Sequence, residues 1–409
     1  MLADALGDPD FVRALVTAVG EGSAVKAARG TLRFVPTSAY ARLVGSDVQR
    51  LPVSTPGAHS TNTVVALGER LFVKGYRRLQ AGVNPELEIG SYLTDVAHFA
   101  HAVPVAGSVE YVADDGQRAT LALIQGYVQN QGSAWDYTLA YLARFFDDTA
   151  RNPAIARTAD VHGGYSALAR TLGLRTAELH AAFARGTGPA FEAEPIRAAD
   201  IAQWVGRVEQ EAREALDRLE QRRDALAEGL RDTLQRLLAD RERLFERIRA
   251  HRSDASDGVR TRLHGDYHLG QVLVVQNDFV IADFEGEPSR PMSERTQKQS
   301  PLKDVAGMLR SFDYAMHSAL VGFVVERPDA RTEVEQAAMT WRALARDAFL
   351  DGYDEVASVQ GLTSARSEKN RLLELFMLEK AVYELRYEVE NRPDWVRIPV
   401  AGLLDVLER

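Results

Sequence analysis

With 409 residues the chain exceeds what one hydrophobic core usually organises, so two lobes with a cleft between them are expected. Hydrophobic residues make up 45% and charged ones 26%, with no apolar run long enough to span a bilayer, which argues against membrane association. The absence of cysteine excludes disulfides, thiolate metal sites and a cysteine nucleophile, nine unclustered histidines leave little for zinc, and a net charge of −9 argues against nucleic-acid binding.

The opening MLADALGDPDFVRALV carries early acids and lacks the basic start, long apolar core and small-residue cleavage site of a secretory signal, so a cytoplasmic location is expected. Residues 1–55 mix short helical and strand-like pieces and read as an N-terminal cap subdomain. Residues 56–128 read as a small, mostly antiparallel β-rich lobe. TNTVVAL and RLFVKGY form a hairpin around Gly68-Glu69-Arg70, a helix starts at Asn84-Pro85, and GSVEYVA and ATLALIQGYV supply further strands. Residues 129–409 read as a large, mostly helical lobe, in which Ile196–His251 has apolar residues at helical spacing and dense alternating charge, as one or two long amphipathic helices.

One island interrupts that lobe. Leu263–Phe284, LHGDYHLGQVLVVQNDFVIADF, parses as a loop, a short strand, a turn at Gln276-Asn277-Asp278 and a second strand. The loop presents Asp266 and the end of the second strand presents Asp283, so two carboxylates meet at one end of a hairpin. Phosphoryl transfer needs such a pair, one acid to orient and deprotonate a hydroxyl and the other to hold Mg2+ on nucleotide phosphates. Gln271 is placed to add a metal ligand and His264 to brace the loop.

HGDYHLGQVL followed by IADFEGEP resembles the catalytic and metal-binding segments of the aminoglycoside phosphotransferase and choline kinase superfamily, with Gln271 where Asn is usual. SPLKDVAGMLRSFDYA and EKAVYELRYEVENRPDWVRIPV further resemble the maltokinases, free-standing or fused to trehalose synthase. The resemblance implies an α+β, eukaryotic-protein-kinase-like two-lobed fold. It also implies ATP as donor, maltose as acceptor, maltose 1-phosphate as product in a route from trehalose to α-glucan, and trehalose synthase as a fused or associated partner.

Lys74 ends the strand LFVK on the face of Phe72 and is the candidate phosphate-binding cation. Two glutamates follow on the next helix; Glu86 falls near the stripe of Ile89, Leu93, Val96 and Ala100, whereas Glu88 points away, so Glu86 is the expected partner of Lys74. The loop Gly57–Thr63, including Ser60, Thr61 and Asn62, precedes the first hairpin strand and would cap phosphates, although no Walker A sequence is present. By resemblance, Gln125 and Tyr127 flank a hinge that offers backbone hydrogen bonds to adenine.

Near the C-terminus, Tyr383, Glu384, Tyr387 and Glu388 lie on one predicted helix, with Arg392 and Trp395 just beyond. Aromatic faces for sugar rings beside groups that bind hydroxyls suit a disaccharide. This mixture favours a neutral sugar over an aminoglycoside, for which a strongly acidic site is expected. Asp304, Asp313 and Tyr314 share a helix read as architecture, with Asp304 implied by resemblance to brace the catalytic loop. The rival readings are a kinase of another sugar, amino sugar or aminoglycoside, and a silent pseudokinase docked on trehalose synthase.

Overall fold

The computed structural model describes residues 4–408 apart from 57–61, 159, 224, 225, 227, 254, 255, 363 and 364. Two compact units emerge, one made of the chain up to Ser133 with His264–Asp266 and Gln271–Gln297, the other of Ala134–Leu263, Tyr267–Gly270 and the chain from Lys298 onward.

The first unit is built around helix α1 (Pro9–Gly20), whose N-terminus is capped by the Asp8 carboxylate and whose buried Val12, Val16 and Val19 repeat at helical spacing. That stripe needs apolar cover, and it packs into one cluster with Val65, Leu71, Val73, Val109 and Ile124. These side chains come from a seven-stranded antiparallel sheet of β1 (Ala24–Ala27), β2 (Gly30–Pro36), β3 (Val53–Ser54), β4 (Thr63–Leu67), β5 (Leu71–Gly75), β6 (Val105–Ala113) and β7 (Arg118–Gly126). Their order is β1-β2-β6-β7-β5-β4-β3. The first 55 residues, expected as a separate cap, thus give three strands to the same sheet, β2 pairing with β6 from Gly30↔Ala113 to Pro36↔Gly107.

The β4–β5 hairpin turns through Gly68, whose φ of 54° suits glycine. Helix α2 (Tyr40–Val44) is short, and α3 (Pro85–Asp95) starts as expected, the Asn84 side chain accepting from the amides of Glu86 and Leu87. Later in the chain, Val272–Val275 pairs with Asp278–Ile281 in a two-stranded hairpin. Main-chain bonds tie this hairpin to the unit: Ile281 N–H donates to His101 O at 2.8 Å, Val103 N–H to Ile281 O at 3.0 Å and Gln131 N–H to Val274 O at 2.8 Å. Those bonds fix where Asp283 leaves the second strand.

The second unit is helical: α4 (Ala134–Arg151), α5 (Gly163–Ala184), α6 (Ala198–Arg222), α7 (Arg231–Ala239) and α8 (Arg241–Arg249), then, after the single turn α9 (Met292–Arg295) of the first unit, α10 (Leu302–Glu326), α11 (Arg331–Ala357), α12 (Arg366–Asn391) and α13 (Arg397–Leu407). Among its described residues the charged stretch 196–251 contains three α-helices rather than one or two, Asp240 closing α7 directly before α8. Helices α5 and α11 meet backbone to backbone: a Cβ on Gly173 would lie 2.0 Å from Phe349 O, and one on Gly352 2.0 Å from Arg170 O. Around that contact Trp341, Phe349 and Tyr353 are fully buried. Among the described residues no helix is long and apolar enough to cross a membrane.

Candidate active site

On β5 the alternation of buried and half-buried residues turns Phe72 and Lys74 to one face. The Lys74 ammonium sits 2.8 Å from Glu86 Oε2, 3.0 Å from Asp283 Oδ1 and 2.5 Å from Glu285 Oε1. Of the two first-turn glutamates of α3, Glu86 is therefore the one that reaches Lys74. It also accepts from Tyr76 OH at 2.6 Å and from Gln125 Nε2 at 3.3 Å, so that a buried carboxylate is held from three directions. Burial pushes the Glu86 carboxyl up to about 7 against the pull of Lys74. For Lys74 the balance is reversed, since three carboxylates outweigh its burial and hold it firmly charged.

Asp283 lies two residues beyond the second strand, not at its end, and its φ of 63° is left-handed, uncommon for a non-glycine residue. Its neighbour Ala282 is clamped on both sides: the amide donates to Gln271 O at 2.9 Å and the carbonyl accepts from His264 Nε2 at 2.9 Å. His264 Nδ1 in turn accepts from the Asp266 amide at 3.4 Å, which fixes the tautomer with the proton on Nε2. His264 thus braces the loop of Asp266 against the turn of Asp283. Burial opposes the charged form of Asp283, but Lys74, His264 and the Gln271 side chain together keep its carboxyl below the ordinary range.

A cavity of about 370 Å³ opens on this face, lined by Thr63, Val64, Phe72, Lys74, Gln125 and Asp283 among others. The Tyr127 ring lies tilted by 36° against that of Phe72, with centroids 5.3 Å apart. The hinge differs from expectation in one respect: the N–H groups of Gly126 and Tyr127 donate to Pro104 O at 2.8 Å and Arg70 O at 2.7 Å, which removes them as donors to a base. Asn62 Nδ2 donates to Glu285 Oε1 at 3.0 Å, while Ser60 and Thr61 lie outside the described residues. Sequence reasoning passed over Glu285 and Tyr76; the Glu of IADFE was visible as part of a motif, whereas nothing local marks Tyr76.

Glu86, Asp283 and Glu285 have oxygens within 4.8 Å of one another. An oxygen-only set carrying more negative charge than Lys74 neutralises fits a hard divalent cation such as Mg2+.

In the helical unit the C-terminal segment is a network of its own. Arg310, fully buried on α10, donates twice to Glu384 Oε2, at 2.9 and 2.6 Å, and once to Asp313 at 3.0 Å. Arg392 forks onto Glu388 at 2.9 and 2.6 Å, and Tyr314 OH reaches the same carboxylate at 3.2 Å. The Arg392 guanidinium lies over the rings of Tyr387 and Trp395, and Trp395 lies nearly parallel to Tyr314. Tyr383 lies beside Lys380 and Arg386. Asp304 accepts from the buried His180 at 3.2 Å. Next to it, α10 comes close to the loop: a Cβ on Gly307 would lie 2.6 Å from Tyr267 O.

No family model matches the chain. It is 30% identical over 353 residues to a glucosamine kinase of Streptacidiphilus jiangxiensis, covering 85% of this chain and 72% of that one. It is 27% identical over 350 residues to a glucosamine kinase of Mycolicibacterium smegmatis, covering 85% of this chain and 78% of that one. A glucosamine kinase solved in complex with glucosamine, ADP and inorganic phosphate superposes with a TM-score of 0.71 at 24% identity, over 97% of this chain and 83% of that one. The fold is accordingly the two-lobed, protein-kinase-like α+β fold. The chain belongs to the family of ATP-dependent sugar kinases that includes these glucosamine kinases.

Proposed function

We propose that the chain phosphorylates the anomeric hydroxyl of maltose with ATP, giving maltose 1-phosphate and ADP. The observation that carries the kinase part is the convergence of Lys74, Glu86 and Asp283 on one cavity. In this reading Lys74, oriented by Glu86, grips the nucleotide phosphates, and Phe72, Tyr127 and Gln125 border the base. Main-chain donors to adenine come from Val128 onward, since the two preceding N–H groups are engaged. Asn62, with Ser60 and Thr61 of the same loop, covers the phosphates.

Asp283 and Gln271 would hold Mg2+, with Glu285 alongside, and the ion would neutralise charge on the phosphate oxygens. Asp266 orients the sugar hydroxyl and takes its proton as the oxygen bonds to the γ-phosphorus and the bond to ADP breaks, with no phosphoenzyme between. His264 positions Asp266 through the hydrogen bond to its amide.

For the acceptor, the support is the segment from Tyr383 to Trp395. Glu384 and Glu388 are each neutralised by an arginine, which suits hydrogen bonding to hydroxyls better than capture of an ammonium group. The faces of Tyr387 and Trp395 suit sugar rings. Tyr383, beside Lys380 and Arg386, is the remaining ring of the proposed set. A trehalose synthase, fused or associated, would supply maltose.

A second reading, glucosamine as acceptor, is favoured by the relatives that carry that name over 85% of this chain. Incubation with ATP and Mg2+ against maltose, glucose and glucosamine, read by mass and phosphorus NMR, separates the two. Maltose 1-phosphate as the dominant product upholds the first reading. A phosphorylated amino sugar installs the second, and ATP turnover with none of these sugars overturns both acceptors.

A further inference from the structure

The N-terminal turn Ala5–Gly7 is seated on the end of the β4–β5 hairpin, beside Lys74. Leu6 is buried, and its Cδ1 occupies the space a Cβ on Gly75 would fill, at 2.3 Å. Only glycine at the residue after Lys74 lets the turn settle there. One residue back, Asp4 caps the turn through the Leu6 amide at 3.0 Å and accepts from Thr63 Oγ1 at 2.6 Å. Thr63 is the β4 partner of Gly75, so both anchors grip the same cross-strand pair. The same Thr63 hydroxyl accepts from Arg77 Nε at 2.9 Å.

Donating its proton to Asp4, the hydroxyl has its lone pairs free for Arg77, and the guanidinium is thereby fixed at Nε. Its two terminal nitrogens have no protein partner among the described residues, yet Arg77 lines the cavity that Lys74 and Asp283 also line. Arg77 is exposed overall, and a guanidinium held by one nitrogen at the wall of a cavity, with its other donors unengaged among the described residues, can take an oxyanion. We infer that Arg77 is a second polyphosphate ligand of the nucleotide cavity, and that the Asp4–Thr63 pair of the N-terminal turn positions it.

This rests on the nucleotide reading above, and the experiment keeps the two apart. ATP and adenosine are titrated calorimetrically into the full chain without acceptor, for wild type, Arg77→Gln, Asp4→Asn and the double variant. Wild type should bind ATP, and Arg77→Gln should weaken ATP about tenfold while leaving adenosine unchanged, the scale of a lost charge-assisted hydrogen bond. Asp4→Asn should weaken ATP about threefold, and should add nothing in the Arg77→Gln background, because it acts only through that residue. A structural role alone would instead lower ATP and adenosine together, which overturns the inference, as does wild-type ATP affinity in Arg77→Gln. Failure of the wild type to bind ATP would sink the nucleotide reading itself.

Discussion

The charge networks around Lys74 and Arg310 differ in whether their charges balance. Around Lys74 one ammonium faces the carboxylates of Glu86, Asp283 and Glu285. Around Arg310 the counts match: Glu384 and Asp313 are met by Arg310 and Arg346, and Glu388 by Arg392. A balanced network has its desolvation offset internally and holds helices in place. An unbalanced one keeps negative charge that only an outside cation relieves, which marks it as a place for a cationic ligand. The same contrast separates the left-handed Asp283 from the regular helical backbone of Arg310.

If that contrast is right, removing a carboxylate from the open network should abolish activity with little loss of fold. Asp283→Ala is expected to lose Mg2+-dependent nucleotide binding; outside the network, Asp266→Asn is expected to cut turnover by roughly two to four orders of magnitude while still binding nucleotide. Calorimetry and turnover on the purified variants check both; wild-type Mg-ATP affinity in Asp283→Ala would remove it from the metal set. In the closed network the order reverses. Arg310→Met leaves Glu384 and part of Asp313 buried without a counter-charge and should cost about 3 to 5 kcal/mol of stability in urea unfolding. Changing Glu384 to Met as well should restore much of that, since no orphaned charge remains at that pair.

A smaller effect would sharpen the acceptor side. Trp395 combines a ring face with the guanidinium of Arg392, so Trp395→Ala should lower kcat/KM for maltose by about 1 to 3 kcal/mol while KM for ATP holds. Steady-state kinetics with each substrate varied in turn reads the split. Parallel losses for both substrates would make Trp395 a structural residue instead.

What the sequence disclosed follows the range of the interactions involved. The turn at Gly68, the cap at Asn84 and the hairpin after Asp266 are local, set by residues a few positions apart, and the chain states them directly. The choice of Glu86 over Glu88 was legible because helical periodicity converts spacing into direction, although only Ile89 and Leu93 of the expected stripe are buried on α3, which ends before the exposed Val96 and Ala100. By contrast, the pairing of β2 with β6 and the seat of Leu6 on Gly75 join distant stretches, and no local pattern encodes them. The engagement of the Gly126 and Tyr127 amides was likewise hidden, because a strand leaving a sheet looks the same whichever partners its N–H groups find. Arg310 offered no signal at all: an arginine on an apolar helix face reads as an error until Glu384 arrives from another helix.

The smallest predicted effect probes the protonation of Glu86. Buried beneath Lys74, Tyr76 and Gln125, its carboxyl is pushed up to about 7 from an ordinary 4.5, with desolvation the largest cause. Between those two values the folded chain keeps a proton that the unfolded chain releases, so the folded state is the more protonated one. Stability contributed by this group is therefore fully present below about 4.5 and is lost as pH rises through about 7. Glu86→Gln keeps the shape and removes the titration. The wild-type Tm minus the Glu86→Gln Tm should accordingly fall between about pH 5 and pH 8, by a few degrees at most for a chain of this size. A difference that stays level would mean that Lys74 keeps Glu86 ionised throughout that range, ion pairing outweighing burial. That result would make the ion pair a fixed brace like Arg310–Glu384, and would leave Asp283 and Glu285 alone as the unbalanced charge.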